Sequence, residues 1–483
     1  MNKKLIIRVL GTILLIEALA MLPALAVALY DNDQNDVLAL LNTVGLLIAL
    51  GLPARWFAKP AVKNLRVRDG FVTVALAWVL LSVFGALPFV FSGMIPNFVD
   101  ALFESVSGFT TTGASVNTMF ENYPRGVMFW RSFTHWIGGM GVLVLTLALI
   151  PSMTGRTSHL VRAESPGPSL SKFVPRMGDS AKILYVIYGV LTAAMFVVLL
   201  VCGMGPYDAA IHALGTAGTG GFSNYALSVA AFDSAAVDWV ITFFMVLFGV
   251  NFALFYRALV RGWRDAVRSE ELHWYLGFFA GFSLITAALI LPEYGDYFTA
   301  LRYGCFQVSS IMSTTGFATA DFHLWPVATK MVLMAGMFIG GCAGSTAGGM
   351  KVVRAAMLVK MTGREVRRTF QPRKVKVVHF EGAGLDEDML RQTAVYFTVL
   401  ILVLLAGCFL ISLEGKYDFE TNFTAALTCL SNVGPGFGAV GPMGGFAGYG
   451  VFSKLVLCVL MLCGRLELFP ILILFHPALY RKG

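Results

Sequence analysis

Apolar residues run through this chain in long blocks separated by short polar turns, and the length of each block predicts its place. A helix crosses a hydrocarbon core of ~30 Å in about 20 residues. Runs of that order occur at 5–30, 37–57, 71–92, 127–151, 183–204, 237–259, 273–291, 327–359 with a polar break, 393–413 and 451–479. They predict an all-α membrane protein of ten transmembrane helices. Shorter amphipathic stretches stand between some of these runs, at 97–109, 207–217, 298–312 and 419–430. At three to four turns they are too short to span, so each is expected to dip into the bilayer and stop.

Every short stretch ends in a segment rich in Ser, Thr and Gly. The four are Thr111-Thr112-Gly113-Ala114, Gly218-Thr219-Gly220-Gly221, Ser313-Thr314-Thr315-Gly316-Phe317 and Ser431-Asn432-Val433-Gly434-Pro435. Aligning Gly113, Gly220, Gly316 and Gly434 gives separations of 107, 96 and 118 residues, so the chain reads as four diverged copies of one unit. The division is two N-terminal helices in 1–68, then units at 69–170, 171–268, 269–376 and 377–483. Each unit runs helix, short helix, glycine segment, helix. All four therefore share one membrane orientation, unlike the inverted repeats of many transporters.

Four such units around an axis make a pore. Glycine lets the backbone turn carbonyl oxygens toward a common point, and rings of carbonyls replace the hydration shell of a cation. The C-terminal end of each short helix adds negative dipole charge. The candidate ion-binding residues are Thr111, Thr112, Gly113, Thr219, Gly220, Thr314, Thr315, Gly316, Asn432, Val433 and Gly434. Their side chains are unequal, which predicts only modest discrimination between cations.

Composition excludes a soluble globule: 57% of residues are hydrophobic and 13% charged, with mean hydropathy +0.73. Lys3, Lys4 and Arg8 precede the first apolar run as they would in a secretory signal, but the run is longer than a signal's core and a second span follows at once, so it reads as a retained anchor. Basic segments at 55–68, 156–182, 257–268, 351–376 and 481–482 fall on one side of ten spans, with the N-terminal lysines. Residues 31–36, Asp100, Glu121, Asp208, Asp233, Glu293, Asp296, Asp321, Glu414 and Asp418 fall on the other. The bias places both termini in the cytoplasm. The net charge of +8 is then a signature of topology, not of nucleic-acid binding. The seven cysteines carry no metal-ligand or disulfide spacing. No phosphate-binding loop or dinucleotide fingerprint is present, and no cluster of acid-base residues suggests an enzyme.

Two features read as gates. The second helix of the third unit is interrupted by Gly340-Gly341-Cys342-Ala343-Gly344-Ser345-Thr346-Ala347-Gly348-Gly349-Met350-Lys351, five glycines in twelve residues, which should not hold a helix. A kinked helix supported by its neighbours is the other reading. Arg465 lies in the last apolar run, where a charge is costly. It would form either an electrostatic barrier in the ion path or a structural pair with Glu467 or with loop carbonyls. Lys351 is a third candidate or simply the start of the basic segment. Glu104, Asp208, His212 and His135 lie near the segments and are read as supports of the short helices more than as ion ligands.

The four segments, the glycine-rich stretch and Gly464-Arg465-Leu466-Glu467-Leu468 resemble the Trk/Ktr/HKT superfamily of potassium transporters, and within it the membrane subunits of bacterial Trk systems, over nearly the whole chain. The resemblance implies potassium uptake across the bacterial inner membrane, with one glycine of each filter at the narrowest point and an intramembrane loop obstructing the pore beneath. A Ser at the first glycine accompanies sodium transport in plant relatives; here it is Gly113. The resemblance also implies a homodimer with one pore per protomer and a separate cytosolic ring subunit of the TrkA type. Nucleotides would bind that partner and none would bind this chain. The basic segments are its docking surface or a contact for anionic lipid headgroups. Proton- or sodium-coupled symport is the alternative; apart from Glu104 and Glu467, the expectation is that the spans hold almost no carboxylates to relay protons.

Overall fold

The computed structural model describes residues 2–58, 67–117, 120–141, 177–372, 377–468 and 471. The expected continuations of spans at 142–151 and 472–479 lie outside these residues, as do the basic stretches 59–66, 156–176, 373–376 and 481–482. The described residues are helical, with one two-stranded antiparallel hairpin among them, β1 (His379–Phe380) and β2 (Ala383–Gly384).

The chain begins with α1 (Lys3–Ala20) and α2 (Leu22–Tyr30), broken where Pro23 enters a new first turn, followed by α3 (Gln34–Phe57). These pack on the first unit, which contains α4 (Val67–Gly85), α5 (Leu87–Phe91), the short α6 (Phe98–Phe109) and α7 (Arg125–Gly139). The second unit has α8 (Met177–Val201), the short α9 (Pro206–Ala217), α10 (Ala235–Phe248) and α11 (Phe252–Arg261), then a one-turn α12 (Trp263–Val267). In the third are α13 (Glu270–Tyr294), the short α14 (Tyr297–Met312), α15 (Val327–Ile339) and α16 (Val352–Phe370). The fourth holds α17 (Glu387–Ser412), the short α18 (Phe419–Ser431) and α19 (Val451–Arg465).

Polar turns start the short helices. Asn97, Asp296 and Asp418 accept backbone N–H groups of Val99, Thr299 and Thr421 at 2.9, 2.8 and 3.1 Å, while α9 begins with Pro206 in its first turn. Some of the acidic residues that mark one side of the membrane therefore also cap helices. The short helices have 12, 12, 16 and 13 residues, or ~18–24 Å at ~1.5 Å per residue.

The helices that follow the glycine segments differ from expectation. Read from sequence as full spans, α7, α10, α15 and α19 have only 15, 14, 13 and 15 residues. The run 237–259 is bent by 86° between α10 and α11. Among the described residues six helical stretches are long and apolar enough to cross a membrane, or seven if that bent pair is one span. The break predicted only for the third unit has counterparts in the second, at Gly249-Val250-Asn251, and in the fourth, where Glu467 and Leu468 take positive φ.

Packing follows a cycle. Helix α7 packs on α9, α10 on α14, α15 on α18, and α19 returns to α6, so each broken helix supports the short helix of the next unit. The ring is closed by tertiary contact between first and fourth units, which no local pattern in the sequence encodes.

Candidate functional site

Each short helix ends the same way. A residue in the left-handed region follows the last turn: Thr111, Thr219, Thr314 and Asn432, with φ of 55°, 53°, 56° and 55°. The next N–H reaches back five residues, from Thr112 to Ser107 O (2.8 Å), Gly220 to Gly215 O (2.9 Å), Thr315 to Ser310 O (2.8 Å) and Val433 to Thr428 O (2.9 Å). This is a Schellman-type stop, and it normally uses glycine. Threonine is β-branched and costly in that conformation, so three of the four segments hold strain that the surrounding bonds impose.

A glycine with positive φ follows two residues later: Gly113 at 80°, Gly221 at 76°, Gly316 at 85° and Gly434 at 103°. The sequence alignment is thereby corrected by one residue in the second unit. Gly221 matches Gly113, and Gly220 takes the place of Thr112, Thr315 and Val433. The Gly-Phe pairs 221–222 and 316–317 carried that signal.

The four segments close on one another in order. A Cβ on Gly113 would strike Gly220 O, one on Gly221 would strike Thr315 O, and one on Gly316 would strike Val433 O; on Gly434 it would lie 2.6 Å from Thr112 O. No other residue fits, by conformation or by space. Gly113, Gly221, Gly316 and Gly434 all line a cavity of about 160 Å³ that Arg131 and Phe222 also border.

The rim of this cavity is stitched in the same cyclic order. Ala226 N–H donates to Glu121 at 2.8 Å, Ala230 N–H to Ala318 O at 3.1 Å, Gly438 N–H to His323 Nδ1 at 2.9 Å and Phe446 N–H to Ser115 O at 2.8 Å. The Ala226 bond holds the carboxyl of Glu121, in the loop before α7, below the usual carboxylate range.

Seven residues before the left-handed position, a polar side chain supports the segment leaving the ring. Glu104 accepts from Ser115 Oγ (2.8 Å) and Val116 N–H (3.0 Å), and His212 Nε2 lies 3.1 Å from Ser223 Oγ. The Gln307 amide oxygen accepts Thr319 N–H at 2.9 Å and Ala320 N–H at 3.3 Å. In the fourth unit the position is Ala425, and Thr424 Oγ1 accepts Phe437 N–H at 2.9 Å instead. Glu104 also pairs with Arg131 at 2.6 Å, both side chains at most 2% exposed. Arg131 donates to Ser223 O at 3.0 Å, with its guanidinium 3.5 Å from the Phe222 ring centroid and 4.5 Å from that of Phe120. Sequence reading missed Arg131, although a charge inside the run 127–151 was the signal. Asp208 accepts from Asn224 Nδ2 (2.8 Å) and Tyr225 OH (3.2 Å). His135 faces Gly108 O at 2.8 Å and packs its ring against Gly220.

Residues 340–351 are irregular backbone and not a kinked helix. Gly340, Gly344, Gly349 and Lys351 have φ of 71°, 71°, 76° and 78°. Ser345 Oγ closes a turn on Cys342 O at 2.6 Å, and Gly341 packs against Ala347. The segment reaches the ring directly: Gly348 N–H donates to Thr314 Oγ1 at 2.6 Å, and a Cβ on Gly348 would strike Ser431 O. It is held by the second unit through Cys342 N–H to Gly249 O (2.9 Å) and Thr346 Oγ1 to Phe248 O (3.2 Å). The Lys351 ammonium folds back onto Ala347 O.

Arg465 joins this loop to the first unit. Its guanidinium donates to Thr346 O and Gly139 O, both at 2.8 Å, and to Gly138 O. Glu467 pairs with Arg354 at 2.6 Å, not with Arg465. The described spans also hold more buried carboxylate than sequence suggested: Glu17, Asp36, Asp69, Asp238 and Glu271 are 0–6% exposed. Asp36 accepts Val127 N–H at 2.8 Å and Asp69 faces Asn2 N–H at 3.3 Å, so polar contacts to neighbouring segments offset part of the cost. None of the five borders the ring cavity.

The family description of TrkH, cation transport protein, matches residues 39–293 and 296–480. This chain belongs to the TrkH family. The family is one of transport proteins and not of enzymes, and the chain is accordingly a multispanning membrane protein. It is 36% identical to the Trk system potassium uptake protein TrkH of Halomonas elongata, over 100% of both chains. It is 33% identical to the Trk system potassium uptake protein TrkG of Escherichia coli K12, over 98% of this chain and 97% of that one. The crystal structure of the potassium transporter TrkH from Vibrio parahaemolyticus superposes with a TM-score of 0.90 at 33% identity, covering 100% of each chain.

Proposed function

We propose that this chain takes up potassium through a channel-like pore whose selectivity filter is the ring of four glycine segments. The observation that carries this is the cyclic contact in which Thr112, Gly220, Thr315 and Val433 each set a carbonyl against the preceding segment's glycine. Carbonyl oxygens at that constriction substitute for the hydration shell of the ion, and the helix C-termini behind them supply negative potential. The units are 69–170, 171–268, 269–376 and 377–483, following two N-terminal helices. The loop 340–351, with Arg465 as its strap, obstructs the path beneath the ring. Arg465 then serves both readings made of it: it binds loop carbonyls, and it sets a positive charge in the way of a cation.

Reconstitution in liposomes tests this. Potassium and rubidium flux should exceed sodium flux, and equal permeability to sodium and potassium would overturn the filter assignment. Coupled symport is the second reading, favoured by one observation: Glu17 is buried within α1 and neither carboxylate oxygen has a hydrogen-bond partner among the described residues. A reversal potential that moves when a proton gradient is added would select it over the channel.

Kinship with Trk systems supports a homodimer in the bacterial inner membrane, with both termini cytoplasmic and lipid around it. A cytosolic ring subunit of the TrkA type would carry the regulatory nucleotides. Arg367 and Arg368, in the last turn of α16, are candidates for its docking surface. Charge reversal there should abolish pull-down of the partner; loss of binding only to anionic vesicles would assign the surface to lipid.

A further inference from the structure

Glu271 stands in the first turn of α13 and is 6% exposed. Its Oε1 accepts the N–H of Ala343, inside the irregular loop, at 2.6 Å. The Asn251 side chain lies close to the same carboxylate. Asn251 Oδ1 accepts Ala253 N–H at 3.0 Å and so caps α11 just after the 86° bend. The next loop residue, Gly344, lies against Asn251, and its carbonyl accepts Phe252 N–H at 3.0 Å. The carboxylate thus binds the loop beside the residue that joins the broken helices of the second and third units.

The aim of that carboxylate is fixed from outside. Glu381, in the turn of the β-hairpin, accepts Ser269 Oγ at 2.6 Å and Glu271 N–H at 3.2 Å. Its own N–H donates to Glu270 Oε2 at 3.0 Å, and Lys360 on α16 pairs with Glu270. The first turn of α13 is therefore clasped on both sides. A buried backbone N–H in irregular structure needs an acceptor, and an anionic acceptor forms the stronger bond.

We propose that Glu271 is the positioning residue that latches the loop 340–351 beneath the ring. This rests on the reading of that loop as the obstruction of the ion path, and the test separates the two. Cys342 adjoins the latched N–H and is fully buried, so release of the loop exposes its thiol. Full-length protein in liposomes is labelled with a small methanethiosulfonate, and Cys342 modification is followed by peptide mass spectrometry beside potassium flux.

Glu271→Leu should raise the Cys342 labelling rate about tenfold or more, the factor expected for losing a buried charge-assisted bond. Glu271→Gln, whose amide oxygen still accepts Ala343 N–H, should raise it less than about threefold. Glu271→Asp is one methylene shorter, carries the same expectation as Leu and keeps the charge, so it serves if the Leu variant fails to fold. Folded Leu or Asp variants with wild-type labelling overturn the latch, as does a Gln variant as reactive as they are. Fast labelling with unchanged potassium flux leaves the latch standing and overturns the placement of the loop in the ion path.

Discussion

The Glu104–Arg131 pair sets a quantitative expectation for the ring. It links Ser115 and Val116, just past Gly113, to Ser223, just past Gly221, with both side chains at most 2% exposed. Removing one member of a buried pair costs about 3–5 kcal/mol because the other is left uncompensated. Arg131→Met leaves the Glu104 carboxylate with the Ser115 and Val116 donors, which places this variant near the lower end, about 3 kcal/mol. Glu104→Gln leaves a guanidinium that cannot lose its proton, held by Ser223 O and two ring faces, the rings contributing up to about 2 kcal/mol when desolvated. It too should cost about 3 kcal/mol. The double variant removes both charges, so it should fall well short of the sum, with a coupling energy of about 3 kcal/mol. Tenfold discrimination between two ions is only about 1.4 kcal/mol. Loosening this rim should therefore bring the potassium-to-sodium flux ratio toward one in either single variant and restore it in part in the double. Denaturant titration of the detergent-solubilised protein gives the coupling, and paired potassium and sodium fluxes in liposomes give the ratio. Additive destabilisation, or a folded single variant with the wild-type ratio, would refute the argument.

The corrected register is tested by alanine at the two adjacent glycines. Gly220→Ala should be rescued for potassium flux by His135→Ala, which removes the ring it meets, whereas Gly221→Ala should stay inactive because it meets Thr315 O at positive φ; rescue of both would refute it. Thr314→Val keeps shape but removes the acceptor of Gly348 N–H, costing the loop about 1 kcal/mol, so basal flux should rise about fivefold; unchanged flux would refute the contact's role. Arg465→Ala should raise basal flux, with Arg465→Lys intermediate because an ammonium cannot fork between Thr346 O and the first-unit carbonyls. Loss of folded protein in both, with no gain in flux, would leave Arg465 purely structural. Because the carboxyl of Glu121 is held low in the folded state, its contribution is complete above the ordinary value of about 4.3 and fades as pH falls through the lower folded value. Protection of the Ala226 amide, corrected for intrinsic exchange, should be flat from about pH 8 to 5 and fall only below about pH 4; a loss near pH 6 would refute the assignment.

The positions of the long helices and of the four segments were legible because both are local signals: apolar run length, and Thr/Gly clusters after short amphipathic stretches. The lengths of α7, α10, α15 and α19 were not, since each apolar run continues past its break. In the second unit only Gly249 and Asn251 mark the bend itself. Hydropathy registers burial and does not register direction, so a run that turns by 86° inside protein reads as one that crosses straight. Glu271 lies just before the apolar run 273–291 with no local mark of a role, and its partner Ala343 lies 72 residues away. The support position seven residues before each stop was hidden by its chemistry, because Glu104, His212 and Gln307 share a role and not a residue type.

The fourth segment departs most in sequence. Its geometry fits the ring without the strain of the other three. Asparagine tolerates the left-handed conformation that strains Thr111, Thr219 and Thr314. Its amide donates to Thr112 Oγ1 at 3.0 Å and to Met461 O at 2.9 Å, binding the last segment to the first and to its own α19. Pro435, with φ fixed, places its ring against Gly316, so that a Cβ there would lie 2.9 Å from the proline Cδ. The join between fourth and first units must be made by residues at opposite ends of the chain, where loop closure helps least. A residue that fits the stop without strain and adds a bond across the seam is the substitution that position calls for. Asn432→Thr would make the fourth segment resemble the others and should destabilise the ring.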